Sequence, residues 1–216
     1  MTVTQRRARS PEDKDRRRRD ILFAGHDYLK EVGFEAFTMQ QLAGRAGLAK
    51  GTLYLYFETR ESVFLALIET KLDRWALEMQ KAIGSLPSTD SDWLTCLFES
   101  VRQDSLLLPL LSRLDLLIEH NISTTALIAH KKRWHLVMVA HAETAKHCLG
   151  LSDGDAMEAV VSVGTFLLGV AQIDQGPKID VKLLPQEVVE SVASYDIFAR
   201  YLVNGRRILT GIRAGI

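Results

Sequence analysis

The sequence predicts an all-α chain, with a small N-terminal three-helix domain over residues 1–60 and a larger helical domain over residues 61–216. Apolar residues recur at helical spacing along most of the chain. Residues that cap helices and residues that break them stand at the ends of these periodic segments. No stretch alternates apolar and polar residues as a half-buried strand does, so strands are not expected.

Composition favours a soluble globular protein. Of 216 residues, 47% are apolar and 25% are charged. The longest uncharged run, residues 159–173, falls short of the roughly 18 residues that a membrane span needs. The charged N-terminus lacks the apolar core of a secretory signal. Cys96 and Cys148 form no CxxC motif, so we expect a cytoplasmic protein without membrane contact, disulfide framework or cofactor.

The zero net charge hides an asymmetry along the chain. Residues 1–60 contain 12 Lys and Arg against 8 Asp and Glu, whereas residues 61–216 contain 15 against 19. A basic excess confined to one end is typical of a module that meets a polyanion. A solvated basic tail explains the charge equally well if the charge is taken alone.

The first helix is predicted from its capping residues. Ser10 is a suitable N-cap, and Pro11 suits the first helical position. Apolar residues at helical spacing extend this helix to a stop near Gly33. Thr38 and Gln41 then form a capping box that begins a short second helix.

The rest of the chain is also predicted to be helical. A second short helix is expected from about residue 49 to 56, and a long helix is expected to begin after Thr59 and to reach residue 83. Proline, glycine, asparagine and aspartate separate the remaining helical segments. These segments are expected near residues 92–106, 109–119, 123–149, 155–173 and 185–210.

The two short helices and the glycine between them have helix-turn-helix spacing. Gly47 suits the tight turn, and Leu53 and Phe57, one helical turn apart, are expected to point into the core. The start of the second short helix then remains exposed, where it suits the major groove of DNA. Its exposed residues are Lys50, Gly51, Thr52 and Tyr54.

These side chains have the chemistry of a DNA reader. Lys50 can donate to guanine or to a phosphate, and Thr52 can offer its hydroxyl to a phosphate or its methyl group to thymine. Tyr54 and Tyr56 can donate phenolic hydroxyls to phosphates, although Tyr56 suits the core equally well. The free backbone N–H groups of the helix that Thr38 caps also favour an anion.

The segment GFEAFTMQQLAGRAGLAKGTLYLYFETRESVF, residues 33–64, resembles the DNA-binding domain of TetR-family transcriptional regulators. The resemblance rests on the Thr cap, the LA pair, the AG turn, the KGTLY helix and the YF pair. Arg60 stands where a lysine is more usual and can still meet a phosphate. Transferred to matching positions, the family's DNA contacts would be Thr38, Gln40, Lys50, Thr52, Tyr54 and Tyr56.

In that family the larger domain binds a ligand and forms a dimer. Residues 92–149 mix apolar residues with a few polar ones, as small-molecule pockets do. We expect a mostly hydrophobic effector, with Trp134 as a wall and Glu119 or His120 as a polar anchor, although simple core packing explains any single position. The candidate pocket residues are Trp93, Phe98, Glu119, His120, His130, Trp134, Met138 and His141.

The last two long helices are too apolar to be exposed, so we expect them to form a two-fold dimer interface. Small residues on the first of them permit close approach. The candidate interface residues are Val160, Val163, Gly164, Leu167, Val192, Tyr195, Phe198 and Leu202.

The resemblance implies a ligand-responsive regulator, most often a repressor, that occupies a palindromic operator as a homodimer until a small effector binds. An enzyme with a helical domain is the alternative, but GxSxG, HExxH and Gly-rich phosphate motifs are absent from the sequence. No two histidines stand three or four residues apart, so a helical metal site is not expected. A nucleoid-type architectural protein would be basic throughout rather than at one end.

Overall fold

The N-terminal part of the protein is a three-helix unit. The structure is a computed structural model that describes residues 10–82, 89–174, 180–193 and 196–216. The three N-terminal helices are α1 (Pro11–Ala36), α2 (Met39–Arg45) and α3 (Lys50–Tyr54).

The larger helical part begins with α4, which continues directly from the three-helix unit. Its α-helices are α4 (Arg60–Ala82), α5 (Asp90–Arg102), α6 (Leu107–Leu111), α7 (Thr124–Leu149), α8 (Asp153–Asp174), α9 (Gln186–Ala193) and α10 (Ile197–Ala214). A π-helix (Leu114–Ile118) and 3-10 helices (Glu119–Asn121 and Val181–Leu183) lie between them. The described ranges contain no strand, so the all-α prediction is confirmed.

Side chains cap the helices where the sequence predicts them. The Ser10 hydroxyl accepts a hydrogen bond from the Asp13 N–H at 3.1 Å, and the Thr38 hydroxyl accepts one from the Gln41 N–H at 3.3 Å. Gly33 has φ 75° and ψ 179°, a non-helical conformation that glycine adopts at little cost. The regular part of α1 therefore ends there, as predicted, although one irregular turn follows.

Two predicted segments divide differently in the structure. The segment expected at 185–210 is two helices, because the Asp196 carboxylate accepts from the Ala199 N–H at 2.9 Å and caps a new helix. The segment expected at 109–119 is the end of α6 followed by the π-helix and a 3-10 turn. Pro109 fits inside the first turn of α6, where an N–H has no intrahelical acceptor.

The core of the larger part lies between α4, α5, α7, α8 and α10. α7 packs against α4 on one side and α8 on the other, and α10 packs against α8 and α5. Gly205 allows the close approach of α10 to α5, because a Cβ there would lie 2.7 Å from the Leu94 side chain. Trp93 and Tyr201 are among the largest fully buried side chains.

A buried ion pair joins α4 to the segment between α5 and α6. The Lys71 ammonium lies 2.6 Å from the Asp104 carboxylate, and both side chains are buried. Asp104 also accepts from Arg74 and from the Leu106 N–H, each at 3.0 Å. This carboxylate therefore holds the start of α6 against α4.

None of the described helices is both long enough and apolar enough to cross a membrane.

Candidate functional site

The two short helices form a helix-turn-helix on a buried base. The turn passes through Gly47 at φ 66°, and the Leu48 N–H donates to the Ala43 carbonyl at 2.8 Å. Leu42 on α2 and Leu53 on α3 are fully buried, and both pack into the same core as α1. The inner faces of both helices are thereby fixed, and their outer faces remain open.

Tyr28 on α1 holds α2 in place through the hydrogen bonds of its hydroxyl group. Its ring is fully buried, and its hydroxyl accepts from the Thr38 N–H at 3.4 Å. The same hydroxyl lies 3.1 Å from the Ala36 carbonyl and within hydrogen-bond distance of the Gln41 side chain. From the sequence alone, Tyr28 was assigned no role in the helix-turn-helix. A buried tyrosine hydroxyl needs a polar partner, and this requirement could have indicated from the sequence that Tyr28 makes hydrogen bonds inside the unit.

The predicted reading residues lie on the outer face of α2 and α3. Gln40, Lys50, Gly51 and Tyr54 are exposed, whereas Thr52 and Tyr56 are half-buried. The Lys50 ammonium lies 5.9 Å from the centre of the Tyr54 ring, so the two side chains share one patch. A cation beside a phenol offers donors both to a base edge and to a phosphate.

Thr38, which caps α2, and Arg60, which begins α4, already make hydrogen bonds with their polar groups. The Thr38 hydroxyl accepts the capping hydrogen bond from Gln41. Arg60 donates to Glu61 at 2.7 Å and to the Phe34 carbonyl at 3.5 Å. A phosphate at Arg60 must therefore compete with the Glu61 carboxylate.

Two other arginines of the three-helix unit, Arg45 and Arg18, contact residues of the unit itself. Arg45 makes a two-pronged ion pair with Glu31, with both N–O distances 2.7 Å, and its guanidinium lies 4.5 Å from the centre of the Tyr28 ring. The Arg18 guanidinium lies 4.7 Å from the centre of the Phe57 ring.

A cavity of about 160 Å³ lies in the larger part, between α4, α5, α6, α7 and α8, and its wall includes the exposed residues Val161 and Thr165. Its wall is almost entirely apolar. The lining residues are Trp75, Leu97, Val101, Leu108, Leu111, Trp134, Met138, His141, Val160, Val161, Gly164, Thr165, Leu167 and Leu168.

Among the described residues of that wall, His141 is the one titratable group. It is 2% exposed, and its ring centre lies 3.9 Å from that of Trp75. Its Nε2 atom is buried and has no hydrogen-bond partner among the described residues. Burial lowers the pKa of His141 from 6.5 to about 4, so the ring is neutral at pH 7.

The structure brings together only some of the predicted pocket residues. Trp134, Met138 and His141 line the cavity. Phe98 lines a second cavity of about 170 Å³, which shares Val101, Leu108 and Leu167 with the first. Trp93 is 1% exposed and lies in the wall of neither cavity.

The predicted polar anchors lie elsewhere, which corrects that expectation. His120 is exposed, and Glu119 pairs with Lys131 at 2.7 Å. His130 is buried, with its ring nitrogens 3.7 Å from Glu69 and 3.9 Å from Glu119. Glu119, His120 and His130 line neither of the two cavities described here.

The predicted dimer residues divide between the inside and the surface of the single chain. Val160, Val163 and Leu167 are buried within it, which corrects the expectation that they face a second chain. Gly164, Phe198 and Leu202 are half-buried, and the Phe198 ring lies 5.0 Å from Phe98. The Val192 side chain and Tyr195 lie outside the described residues.

Sequence reasoning missed most of the cavity wall. Trp75 comes from α4, Leu97 and Val101 from α5, and Leu108 and Leu111 from α6. The periodicity of apolar residues indicated that these positions are buried. It did not indicate which helices meet around the cavity. The described residues contain no group of three or more His, Cys, Asp or Glu placed to hold a metal ion.

Two family models cover most of the chain. Residues 21–67 match the model described as bacterial regulatory proteins, tetR family. Residues 69–192 match the model of a tetracyclin repressor-like C-terminal domain. The first match contains α2 and α3, and the second contains every described residue that lines the first cavity.

A curated relative, the uncharacterized HTH-type transcriptional regulator YfiR of Bacillus subtilis, is 36% identical over 93 residues. That match covers 42% of this chain and 45% of the relative. The chain thus spans less than half the length of the curated relatives that it matches.

Solved structures share the fold over nearly the whole chain. A possible TetR-family regulator from Streptomyces coelicolor A3(2) superposes with a TM-score of 0.63 at 20% identity, covering 92% of this chain and 100% of that one. The regulator FadR from Bacillus subtilis, solved in complex with stearoyl-CoA, superposes with a TM-score of 0.52 at 16% identity, covering 92% and 98%. With both domains matched, the chain belongs to the TetR family of DNA-binding transcriptional regulators, which are not enzymes.

Proposed function

We propose that this chain is a ligand-responsive repressor, which binds a palindromic operator as a homodimer and is released by a small, mostly hydrophobic effector. One observation carries the proposal: helix α4 contacts both the cavity and the three-helix unit formed by α1, α2 and α3, which we call the DNA-reading unit. At its start, the Phe64 ring packs 4.9 Å from Phe37 and 5.4 Å from Phe34. Further along, Trp75 lines the cavity.

A second connection runs through α6. Leu111 lines the cavity, and Arg113, two residues later, places its guanidinium 4.1 Å from the centre of the Phe34 ring. The Thr59 hydroxyl also donates to the Asn121 carbonyl at 3.2 Å. A molecule that displaces the walls of the cavity therefore displaces elements that touch the DNA-reading unit.

The mechanism follows from the geometry of DNA. Two recognition helices of a dimer fit successive major grooves when they are about 34–36 Å apart. Effector binding would shift α4 and α6 and change that separation. The stearoyl-CoA complex of the structural neighbour FadR supports the idea that a protein of this fold takes up a small molecule.

The dimer is expected on the outer faces of α8 and α10, which pack side by side. Val203 on α10 is 39% exposed there. Val203→Arg should convert a dimer at micromolar concentration into a monomer, because it buries an unpaired charge at the interface. Sedimentation velocity measures this. Leu55→Arg, at a residue 75% exposed in the DNA-reading unit, should leave the dimer intact. A wild-type monomer would refute the dimer.

Lys50→Ala tests whether α3 recognises the bases of the operator. If Lys50 contacts a base, the substitution should weaken operator binding by about 1–3 kcal/mol and relax sequence preference. Tyr54→Phe deletes only a hydroxyl and should weaken binding to all sequences alike, as loss of a phosphate contact does. Fluorescence anisotropy with labelled duplexes measures both. Unchanged affinity and preference in Lys50→Ala would remove α3 from the reading role.

Gly51 and Gly44 provide a matched pair of variants. A Cβ at either position meets no atom of the described protein within 4 Å, so alanine should fit both helices and stabilise each by up to about 1 kcal/mol. Gly51→Ala should nevertheless weaken DNA binding several-fold, because α3 lies against the groove. Gly44→Ala should leave DNA binding unchanged. Equal affinities of the two variants and the wild type would contradict close approach at Gly51.

Footprinting on the DNA upstream of the protein's own gene tests the function as a whole. A repressor of this kind should protect one short palindromic site. Protection spread evenly along the DNA would instead support an architectural role.

A further inference from the structure

The first turns of α1 extend beyond the core of the DNA-reading unit. None of residues 11–20 is buried. The buried residues of α1 all follow them: Ile21, Leu22, Gly25, Tyr28 and Leu29. Ten residues of α-helix are about 15 Å long. Local interactions hold these turns, since Ser10 caps the helix and Arg16 pairs with Asp13 at 2.6 Å.

The side of α1 that faces the core changes from apolar to basic in these first turns. Residues three, four and seven positions before the buried Ile21 lie on the same side of the helix. They are Arg18, Arg17 and Lys14, which we call the basic stripe. At about 100° per residue, each carboxylate of residues 11–20 lies about 90° or more around the helix from the middle of this stripe. These carboxylates belong to Glu12, Asp13, Asp15 and Asp20.

The cations of the basic stripe are not neutralised within the described protein. The side chains of Lys14 and Arg17 form no hydrogen bond or ion pair with another described residue. Arg18 contacts the ring of Phe57, which carries no charge. Like charges three and four residues apart slightly destabilise a helix. Helix stability therefore does not explain the stripe, whereas an anionic partner would complement it.

Arg18 places the basic stripe beside the recognition helix. Its guanidinium lies 4.7 Å from the centre of the Phe57 ring. The Phe57 N–H donates to the Leu53 carbonyl at 3.1 Å, so Phe57 lies against the end of α3. Each DNA strand carries one phosphate per about 3.4 Å of helix axis. The first turns of α1 are therefore long enough to span several phosphates next to the bases that α3 meets.

We propose that the basic stripe contacts the phosphate backbone of the same operator duplex that α3 reads, with Lys14 and Arg17 each neutralising one phosphate. This inference rests on the proposed function, since it adds a second contact surface to the operator site. Arg18 is a positioning residue, because it joins the stripe to Phe57. Contacts to phosphates carry no sequence information. The stripe therefore adds affinity and leaves sequence preference unchanged.

The test measures how salt weakens DNA binding by the full-length protein. Fluorescence anisotropy titrations with the duplex protected in the footprint are repeated between about 0.05 and 0.2 M KCl. One double variant combines Lys14→Ala with Arg17→Ala in the stripe. The control combines Arg16→Ala with Arg19→Ala, which lie on the opposite side of the same turns. Both variants lose two positive charges, and alanine preserves the helix in each.

The stripe variant should show a weaker salt dependence than the wild type. The slope of the logarithm of the association constant against the logarithm of salt concentration should fall by about 1.8 in magnitude, since each phosphate contact contributes about 0.9. Binding at 0.1 M KCl should weaken by about tenfold or more. The ratio of affinities for the protected duplex and a scrambled duplex should stay the same. The control variant should retain the slope of the wild type.

Three results would overturn the inference. An unchanged slope in the stripe variant removes the phosphate contacts. Equal losses in the stripe variant and the control show only the long-range attraction of a basic protein. A lower ratio of affinities in the stripe variant shows that the stripe reads bases. In all three cases a wild type that prefers the protected duplex retains the proposed function, whereas a wild type without that preference removes the proposed function together with this inference.

Discussion

Asp104→Ala is expected to lower the free energy of unfolding by about 3–5 kcal/mol, the range found when one partner of a buried ion pair is removed. The Lys71 side chain is 7% exposed, and without Asp104 it would lose the carboxylate that lies 2.6 Å from its ammonium and that opposes the lowering of its pKa by burial. The Leu106 N–H and Arg74 would lose an acceptor as well. Because Asp104 holds the start of α6 against α4, the variant should also loosen the connection between cavity and DNA reader.

Urea unfolding at fixed protein concentration measures this effect. Asp73→Ala is the matched control, since Asp73 pairs with Arg133 on the surface and its side chain is 46% exposed. Exposed pairs contribute at most about 1 kcal/mol. Equal destabilisation by the two substitutions would show that the buried pair adds nothing beyond a surface pair.

Stability is expected to fall by about 3 kcal/mol between pH 6.5 and pH 4 because of His141 alone. Its pKa is about 4 in the folded protein and 6.5 when unperturbed, and each unit of difference corresponds to about 1.4 kcal/mol. In this window the unfolded chain binds a proton that the folded chain does not, so stability rises with pH. Well above pH 6.5 neither state is protonated at His141, and this residue adds no further dependence.

The difference between wild type and His141→Phe isolates this contribution, because carboxylates titrate in both proteins. As the pH is lowered from 6.5 to 4, the unfolding free energy should fall more steeply for the wild type than for the variant. Parallel curves between pH 6.5 and pH 4 would mean that His141 is accessible to solvent or is paired in the folded state.

Local interactions made the DNA-reading unit predictable. The Thr38 cap and the turn at Gly47 each depend on residues within a few positions of one another. The resemblance covers the same segment, so sequence alone placed both short helices. Tyr28 was not assigned a structural role, because its hydroxyl meets groups eight to thirteen residues away.

The cavity was only partly predictable for the opposite reason. Trp134, Met138 and His141 were found together because they follow one another on neighbouring turns of one helix. Trp75 reaches the same space from α4, and its meeting with His141 depends on how α4 crosses α7. Crossing angles arise from side-chain packing over whole helices, which single-sequence periodicity does not contain.

Selection of binding sites from a random duplex library is the most direct test of the claim that α2 and α3 read DNA as half of a two-fold pair. The selection should use the full-length wild-type protein at a stated salt concentration, since affinity depends on salt. A two-fold symmetric motif should be enriched, with half-site centres about one helical turn apart, or a whole multiple of it. Enrichment of a single asymmetric half-site would contradict the dimeric reader, and absence of any enriched motif would contradict sequence-specific DNA binding itself.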